Sequence, residues 1–422
     1  MQVKVFKFGG ASVKDAPAIE NLHHILRLYP DDTLVVVISA MGKTTNFLER
    51  VLEAYHQRPE EVPALVDELQ RQHEQVAEQL VPDPGSIVDS LRQLFQQLRE
   101  RLSCPPSQNY DFDYDQIVSF GELLSTTLIS GYLNIAGIPN TWMDARRIIR
   151  TDSTFREGRV DWETSARQIQ DAVTAGFGKS RVVLTQGFIG GTAENLTTTL
   201  GREGSDFSAA IIAHSLDAES VTIWKDVPGL LNADPKRFSD AVKLDRIPYE
   251  EALELTFYGA SVIHPKTLKP LQNKQIPLYV KSFFHPENEG SVITNCRLST
   301  GVPSYIVKDG QVLLTLFPKD FSFMGVENLS DVFTQLANYR VKINMMQNSA
   351  LSLSICTDNV GERLKKCVDV LKKRYKVKYN DPVQLITIRH HTPESVEKAV
   401  GDKKVLMRQT SRATIQFVVK LL

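Results

Sequence analysis

Two glycine-bearing stretches carry the residues most suited to chemistry. In Lys7-Phe8-Gly9-Gly10 a lysine stands near the end of an alternating Val- and Phe-rich run, and two glycines follow. Glycine lets backbone amides approach a ligand closely, so this pattern can cradle an anionic phosphate and set a cation on it. Read without a ligand, it is a plain strand-to-helix turn with a surface lysine. In the second stretch, Thr197-Thr198-Thr199-Leu200-Gly201-Arg202-Glu203-Gly204-Ser205-Asp206-Phe207-Ser208, three hydroxyls lead into a glycine turn holding Arg202 and Asp206. An apolar helical run is expected from Phe207, which puts Asp206 at the N-cap, a role Ser205 and Ser208 can share. Taken alone, the stretch fits an ordinary capped helix as well as an anion-binding loop.

Arg202 has the planar fork that grips a carboxylate through two hydrogen bonds. Glu122, after Phe120-Gly121, is either a surface residue or the partner of an ammonium group. The two together would recognise a free amino acid, with Ser39 and Thr45 able to hydrogen-bond the same ligand. A phosphate cradle beside such a clamp implies phosphoryl transfer to an amino acid, a reaction that rests on positioning and charge stabilisation. A carboxylate acceptor ordinarily titrates at about pH 4 and is already ionised at neutral pH, so no general base is needed. That suits a chain with no evident His–Asp or Cys–His constellation.

The chain has 422 residues, 42% of them hydrophobic, and a formal net charge of −1. Length alone suggests about three domains of roughly 150 residues. The charge balance offers no basic face for nucleic acid. No run of 18 or more apolar residues occurs, so no membrane span is expected. The N-terminus reads directly as a strand, without the pattern of a signal peptide. Cys104, Cys296, Cys356 and Cys367 lack metal or redox spacing, and the nine histidines show no HExxH-like pattern. No metal-ligand cluster is expected, and a reducing, cytoplasmic compartment is. Neither GxxxxGK[ST] nor GxGxxG is present, so neither a Walker A loop nor a Rossmann fingerprint explains the glycines.

The elements that position these residues follow in order. Val3–Phe8 and Thr33–Ser39 read as strands, the second apolar enough to be buried on both faces of a parallel sheet. Helices are expected after Asp15 and from about Thr45 to Tyr55. Residues 56–108, rich in Glu, Gln, Leu and Arg, read as a helical insertion with exposed helices at about 60–80 and 86–102. A helix over Asp111–Ala136, strands at Ile138–Asp144, Arg181–Thr185 and Val221–Trp224, a helix at Tyr249–Phe257 and a strand at Pro277–Lys281 complete an α/β domain over residues 1–298. The rhythm then changes. Strand Val312–Phe317, helix Val326–Asn338, strands Val341–Met346 and Leu351–Cys356, helix Gly361–Arg374 and strand Lys376–Tyr379 make one βαββαβ unit at about 311–380. A partial copy at about 383–422 has strand Val383–Arg389, helix Glu394–Val400 and strands Lys404–Gln409 and Ala413–Lys420. It lacks a final helix and strand, so it is expected to borrow an edge or to pair with another subunit.

Lys7–Val13, Phe120-Gly121-Glu122, Thr197–Asp206, Asp226-Val227-Pro228-Gly229 and Gly259–Pro265 together resemble the aspartate kinases of the amino-acid kinase family. The resemblance runs in order along nearly the whole chain. It implies a three-layer α/β/α amino-acid kinase domain with a mainly parallel sheet, followed by an α+β, ferredoxin-like ACT regulatory region over 299–422. The reaction it implies moves the γ-phosphoryl group of ATP, with Mg2+, to the side-chain carboxylate of L-aspartate, giving 4-phospho-L-aspartate. That is the entry step to lysine, threonine and methionine. Lys7, Asp206 and Arg202 would be catalytic. Lys7 would neutralise the transferring group, Asp206 would organise Lys7 and the phosphates, and Arg202 would hold the α-carboxylate. Ser39, Thr45, Glu122, Arg202 and Ser205 would bind aspartate. Lys7, Gly9, Gly10, Lys225, Asp226, Leu231 and Lys236 would face the nucleotide. This chain departs from the commoner Thr, Tyr, Arg and Lys at Lys225, Leu231, Lys236 and Ser261, and it has Ala11 for the commoner Thr.

In the C-terminal region, Asn344, Gln347, Asn348 and Ser349 match the strand-and-turn segment that lines the effector site in related enzymes. A feedback amino acid, lysine or threonine, is therefore expected, although lysine-sensitive members often carry Asp at position 344. The same segment also reads as a sheet edge used for dimerisation. A homodimer or higher homo-oligomer is expected. No fused dehydrogenase is expected, since no dinucleotide-binding pattern occurs. The competing readings are another amino-acid kinase, of the glutamate or acetylglutamate type, and a non-catalytic amino-acid sensor.

Overall fold

In the computed structural model, residues 2–260, 263–297, 302–320 and 322–420 are described. Two compact units emerge: Met1–Leu230 with Lys243–Leu253 and Val262–Leu298, and Leu231–Val242 with Glu254–Ser261 and Ser299–Leu422.

The first unit is built on an eight-stranded sheet. Its order is Arg246–Pro248, Ser291–Thr294, Leu278–Ser282, Ser220–Lys225, Val3–Phe8, Thr33–Ile38, Val182–Gln186, Asn140–Met143. Every pairing is parallel except that between Leu278–Ser282 and Ser291–Thr294. Strand side chains alternate between faces, and the cores follow that alternation. Phe6, Phe8, Leu34, Val36, Ile38 and Leu184 pack under the helices Ala16–Arg27, Thr44–Gln57 and Phe120–Ile135. Val3, Val5, Val35, Val37 and Val183 pack under Trp162–Phe177, Gly204–Leu216 and Pro265–Lys274. The result is the expected three-layer α/β/α arrangement. The chain leaves the first strand to one side of it and later returns on the other, the topological switch where ligands gather at strand C-termini.

The insertion forms helices Val62–Leu80 and Gly85–Ser103. They are not simply exposed: Val66, Leu69, Leu91, Phe95 and Leu98 join the core. The helix read over Asp111–Ala136 is two helices, Tyr110–Val118 and Phe120–Ile135, with Ser119 between them. Ile189–Gly191 pairs with Thr197–Thr199 in a small antiparallel hairpin.

The second unit contains a six-stranded antiparallel sheet, ordered Ile343–Asn348, Leu353–Asp358, Ser304–Pro318, Tyr375–Arg389, Thr414–Lys420, Lys404–Thr410. Two strands are about twice as long as expected, and each serves both copies of the repeat. Lys376–Tyr379 and Val383–Arg389 are one strand, and Ser304–Lys308 pairs with its second half. The partial copy is thereby completed within the same chain. Ser304–Lys308 occupies the outer position that Tyr375–Asn380 occupies in the first copy, so both copies share one strand order. The missing second helix is replaced by segment 231–242, whose Ala233, Phe238 and Ala241 pack with Ala399 and Val400 of helix Pro393–Val400.

Candidate active site

Lys7 is an odd-numbered residue of its strand, so it shares the face of Val3 and Val5 and points toward the layer that contains Gly204–Leu216. There its Nζ lies 2.6 Å from Asp206 Oδ1, with both side chains nearly buried. Lys225 Nζ, at the end of the neighbouring strand, lies 3.8 Å from Asp206 Oδ2. One carboxylate thus sits between two cations from adjacent parallel strands.

The helix behind Asp206 starts earlier than its apolar pattern suggests. It runs from Gly204, and its N-cap is Glu203 in the left-handed conformation with no side-chain cap. Asp206 is its third residue, and Ser205 and Ser208 are also inside it. The expected capping role is therefore corrected: left-handed Gly201 and Glu203 wind the turn tightly enough to begin the helix three residues sooner, and the Asp206 carboxylate is left to meet Lys7. Ser208 accepts a hydrogen bond from Phe188 N at 2.9 Å and donates to Gly204 O at 3.0 Å. A Cβ on Gly187 would lie 2.5 Å from that of Ser205, so only glycine admits this helix so close to the loop after Gln186.

The Gly9-Gly10 turn is equally tight. A Cβ on Gly9 would stand 3.4 Å from Lys7 Nζ, and one on Gly10 would meet Gly42 O at 2.8 Å and Ala40 O at 2.9 Å. The second-strand exit is bound to the first: Ser39 N donates to Phe8 O, and Gly42 N to Gly10 O. Ser39 and Thr45 are half-buried here, Thr45 in the first turn of its helix.

Glu122 comes from the opposite layer. It is buried, its Oε1 accepts from Ala40 N at 3.2 Å, and its Oε2 has no hydrogen-bond partner among the described residues. Burial pushes its carboxyl up to about 8, against the opposing pull of the Ala40 amide and Lys7. A buried, half-satisfied carboxylate of this kind fits an incoming cation. Arg202 is exposed at the tip of the glycine turn and makes no ion pair among the described residues.

Two of the three threonines before that turn are structural ties. Thr198 shares a hydrogen bond with Thr151 at 2.6 Å, and Thr199 donates its N–H and hydroxyl to Asp115 at 2.9 and 2.7 Å. Burial raises the Asp115 carboxyl to about 6, although hydrogen bonds from Arg156 and Thr199 oppose it. Nothing in the sequence marks Asp115 out from the neighbouring Asp111 and Asp113.

Lys7, Gly9, Gly10, Ser39, Thr45, Glu122, Ser205, Asp206 and Lys225 thus line the C-terminal ends of the first unit's central strands. Asp226 is exposed just beyond Lys225. Leu231, half-buried, and Lys236, exposed, belong to the second unit. Ser261 lies outside the described residues. In the second unit Asn344 is turned inward. Its Nδ2 donates to Gln311 at 2.8 Å and Asp358 at 3.0 Å, and its Oδ1 accepts from Lys308 at 3.2 Å. Gln347, Asn348 and Ser349 are exposed at the end of the sheet's edge strand. Among the described residues no three His, Cys, Asp or Glu side chains form a metal cluster, and no helix is long and apolar enough to cross a membrane.

The amino acid kinase family matches over residues 2–282. The chain is 31% identical over 367 residues to the lysine-sensitive aspartokinase 3 of Escherichia coli, spanning 85% of this chain and 79% of that protein. It is 31% identical to the chloroplastic aspartokinase 1 of Arabidopsis thaliana, but spans only 63% of that longer protein. Crystal structures of E. coli aspartokinase III, one with aspartate and ADP and one with lysine and aspartate, each superpose with a TM-score of 0.83 at 27% identity. Each covers 99% of this chain and 96% of the other. The chain belongs to the amino acid kinase family and, within it, to the aspartokinases.

Proposed function

We propose that this site transfers the γ-phosphoryl group of ATP to the side-chain carboxylate of L-aspartate, and that the residues gathered above divide the work. The observation that carries the reading is a buried Glu122 oxygen without a hydrogen-bond partner among the described residues, together with the Lys7–Asp206–Lys225 charge cluster at the strand ends. Glu122 takes the α-ammonium of aspartate and Arg202 its α-carboxylate, with Ser39, Thr45 and Ser205 as hydrogen-bonding neighbours. The β-carboxylate is then directed at the phosphates over Gly9 and Gly10. One of its oxygens bonds to the γ-phosphorus, the bond from that phosphorus to the bridging oxygen breaks, and ADP leaves with the electron pair. No proton need move, because the attacking carboxylate is already ionised. Lys7 and the amides of Gly9 and Gly10 offset charge on the transferring group, and Asp206 keeps Lys7 in place. Lys225, Asp226, Leu231 and Lys236 are proposed on the nucleotide side.

Mg2+ fits this site as a companion of the phosphates, with Asp206 the acidic group beside them, and would supply charge neutralisation when bound. Aspartokinase 3 of E. coli is lysine-sensitive and was crystallised with lysine. A feedback amino acid acting at the second unit, near Asn344 to Ser349, is the corresponding proposal here, together with a homodimer or higher oligomer. Its place would be the cytoplasm, at the head of lysine, threonine and methionine synthesis.

The test is an acceptor panel. With ATP and Mg2+, kcat/KM should be highest for L-aspartate over L-glutamate and N-acetyl-L-glutamate. Preference for either of the others would assign a different kinase, and no turnover with any would favour a sensor.

A further inference from the structure

Arg202 has no ion pair of its own among the described residues, so its backbone turn has to be held from elsewhere. The base of the turn is Thr199, and both of its donors converge on Asp115, which is fully buried. Asp115 Oδ2 also accepts from Arg156 N at 2.9 Å. The chain on the far side is drawn in by the same pair: Gly158 N donates to Thr199 O at 2.9 Å, and a Cβ on left-handed Gly201 would lie 3.2 Å from Arg156 O. Past the tip, Gly204 N closes the turn on Gly201 O at 3.0 Å.

Asp115 lies on helix Tyr110–Val118, and only Ser119 separates that helix from the one bearing Glu122. The carboxylate that holds the Arg202 turn is therefore built into the same stretch as the carboxylate proposed for the substrate ammonium. We propose that Asp115 is a positioning residue: by tying Thr199 and the Arg156 loop to the Glu122 helix, it sets the separation between the two ends of the amino-acid clamp. It touches no substrate. This inference rests on the reading of Arg202 as the carboxylate grip.

The experiment is a mutant cycle on the full chain, using Thr199→Val, Thr199→Ser, Asp115→Asn and Arg202→Ala. Loss of a charge-assisted hydrogen bond should raise the aspartate KM about tenfold in Thr199→Val and Asp115→Asn, with the ATP KM changed less than about twofold. Thr199→Ser should restore the wild-type value. In an Arg202→Ala background, Thr199→Val should raise the aspartate KM no further, because the group it positions is gone. Thr199→Val, nearly isosteric, keeps the test open if Asp115→Asn fails to fold. Should Arg202→Ala leave the aspartate KM unchanged, the clamp reading itself falls. If Arg202→Ala raises that KM while Thr199→Val either has no effect, weakens both substrates alike or adds in full to Arg202→Ala, the positioning role is overturned and the clamp reading stands.

Discussion

Lys7 Nζ and Asp206 Oδ1 stand 2.6 Å apart, one from the first strand of the chain and one from the helix that follows the Arg202 turn. The pair links the strand that leads into the Gly9-Gly10 turn to the helix that follows the Arg202 turn, and Lys225 approaches the same carboxylate from the next strand.

Lys7→Ala removes the shorter of the two cation contacts that Asp206 makes among the described residues. Turnover is expected to fall by roughly 10²–10³-fold or more, the scale of losing a group aimed at developing charge. Aspartate affinity, measured by calorimetry, should stay within a few-fold of wild type. Near-normal kcat would remove Lys7 from the transfer step.

Arg202→Ala removes a charged fork without touching the Gly9-Gly10 turn. The aspartate KM should rise by about 10–100-fold, in line with loss of a charge-assisted contact, while the ATP KM is spared. Initial-rate measurements with each substrate varied in turn separate the two. Equal losses would place Arg202 outside the clamp.

On the proposed role of Glu122, aspartate binding should be pH-dependent. Its carboxyl is raised to about 8 from an ordinary 4.5 by burial, so the free protein holds it protonated at neutral pH. Binding an ammonium needs the charged form, so aspartate affinity should rise as pH increases through about 8, with a proton released on binding. The fold responds in the opposite sense. Between about 4.5 and 8 the folded state holds a proton that the unfolded state has lost, so this residue's contribution to stability declines as pH rises across that window. Glu122→Gln should therefore raise Tm relative to wild type at pH 8 more than at pH 5, while abolishing the pH dependence of aspartate affinity. A constant Tm difference across this range would contradict the assignment.

His73, in the helical insertion, offers a control remote from the chemistry. It is fully buried against Phe95, its Nδ1 lies 2.9 Å from Leu69 O, and burial lowers its pKa to about 4 from 6.5. Its stabilising share is complete above about 6.5 and is lost as pH falls toward 4, where the unfolded state binds the extra proton. His73→Leu should flatten the Tm–pH curve in that interval with little change in the aspartate KM. Persistence of the full acid sensitivity would mean that other groups govern it.

Much of this was legible in the chain. The apolar runs Val3–Phe8 and Thr33–Ser39 with their glycines disclosed a parallel sheet, and Lys7, Glu122 and Arg202 stood out by charge in apolar or glycine-rich settings. Asp206 stood out in the glycine turn but its cap role was wrong, because the turn depends on the left-handed Gly201 and Glu203, and Glu at such an angle has no local signal. Asp115 was hidden among like residues, since only three-dimensional pairing with Thr199 distinguishes it. The doubled strands were missed for a related reason. Asn380-Asp381-Pro382 has the composition of a turn, yet Asp381 and Pro382 fall where the ladder register shifts, so the absent proline N–H is not required and the strand continues.

The most direct measurement is acyl-phosphate trapping: the purified chain with ATP, Mg2+ and L-aspartate, with hydroxylamine to capture the product as its hydroxamate and ADP followed in parallel. β-Aspartyl hydroxamate formed in step with ADP, and lost in Lys7→Ala, is the expected result. ADP release without hydroxamate, or hydroxamate that survives Lys7→Ala at the wild-type rate, would contradict the account.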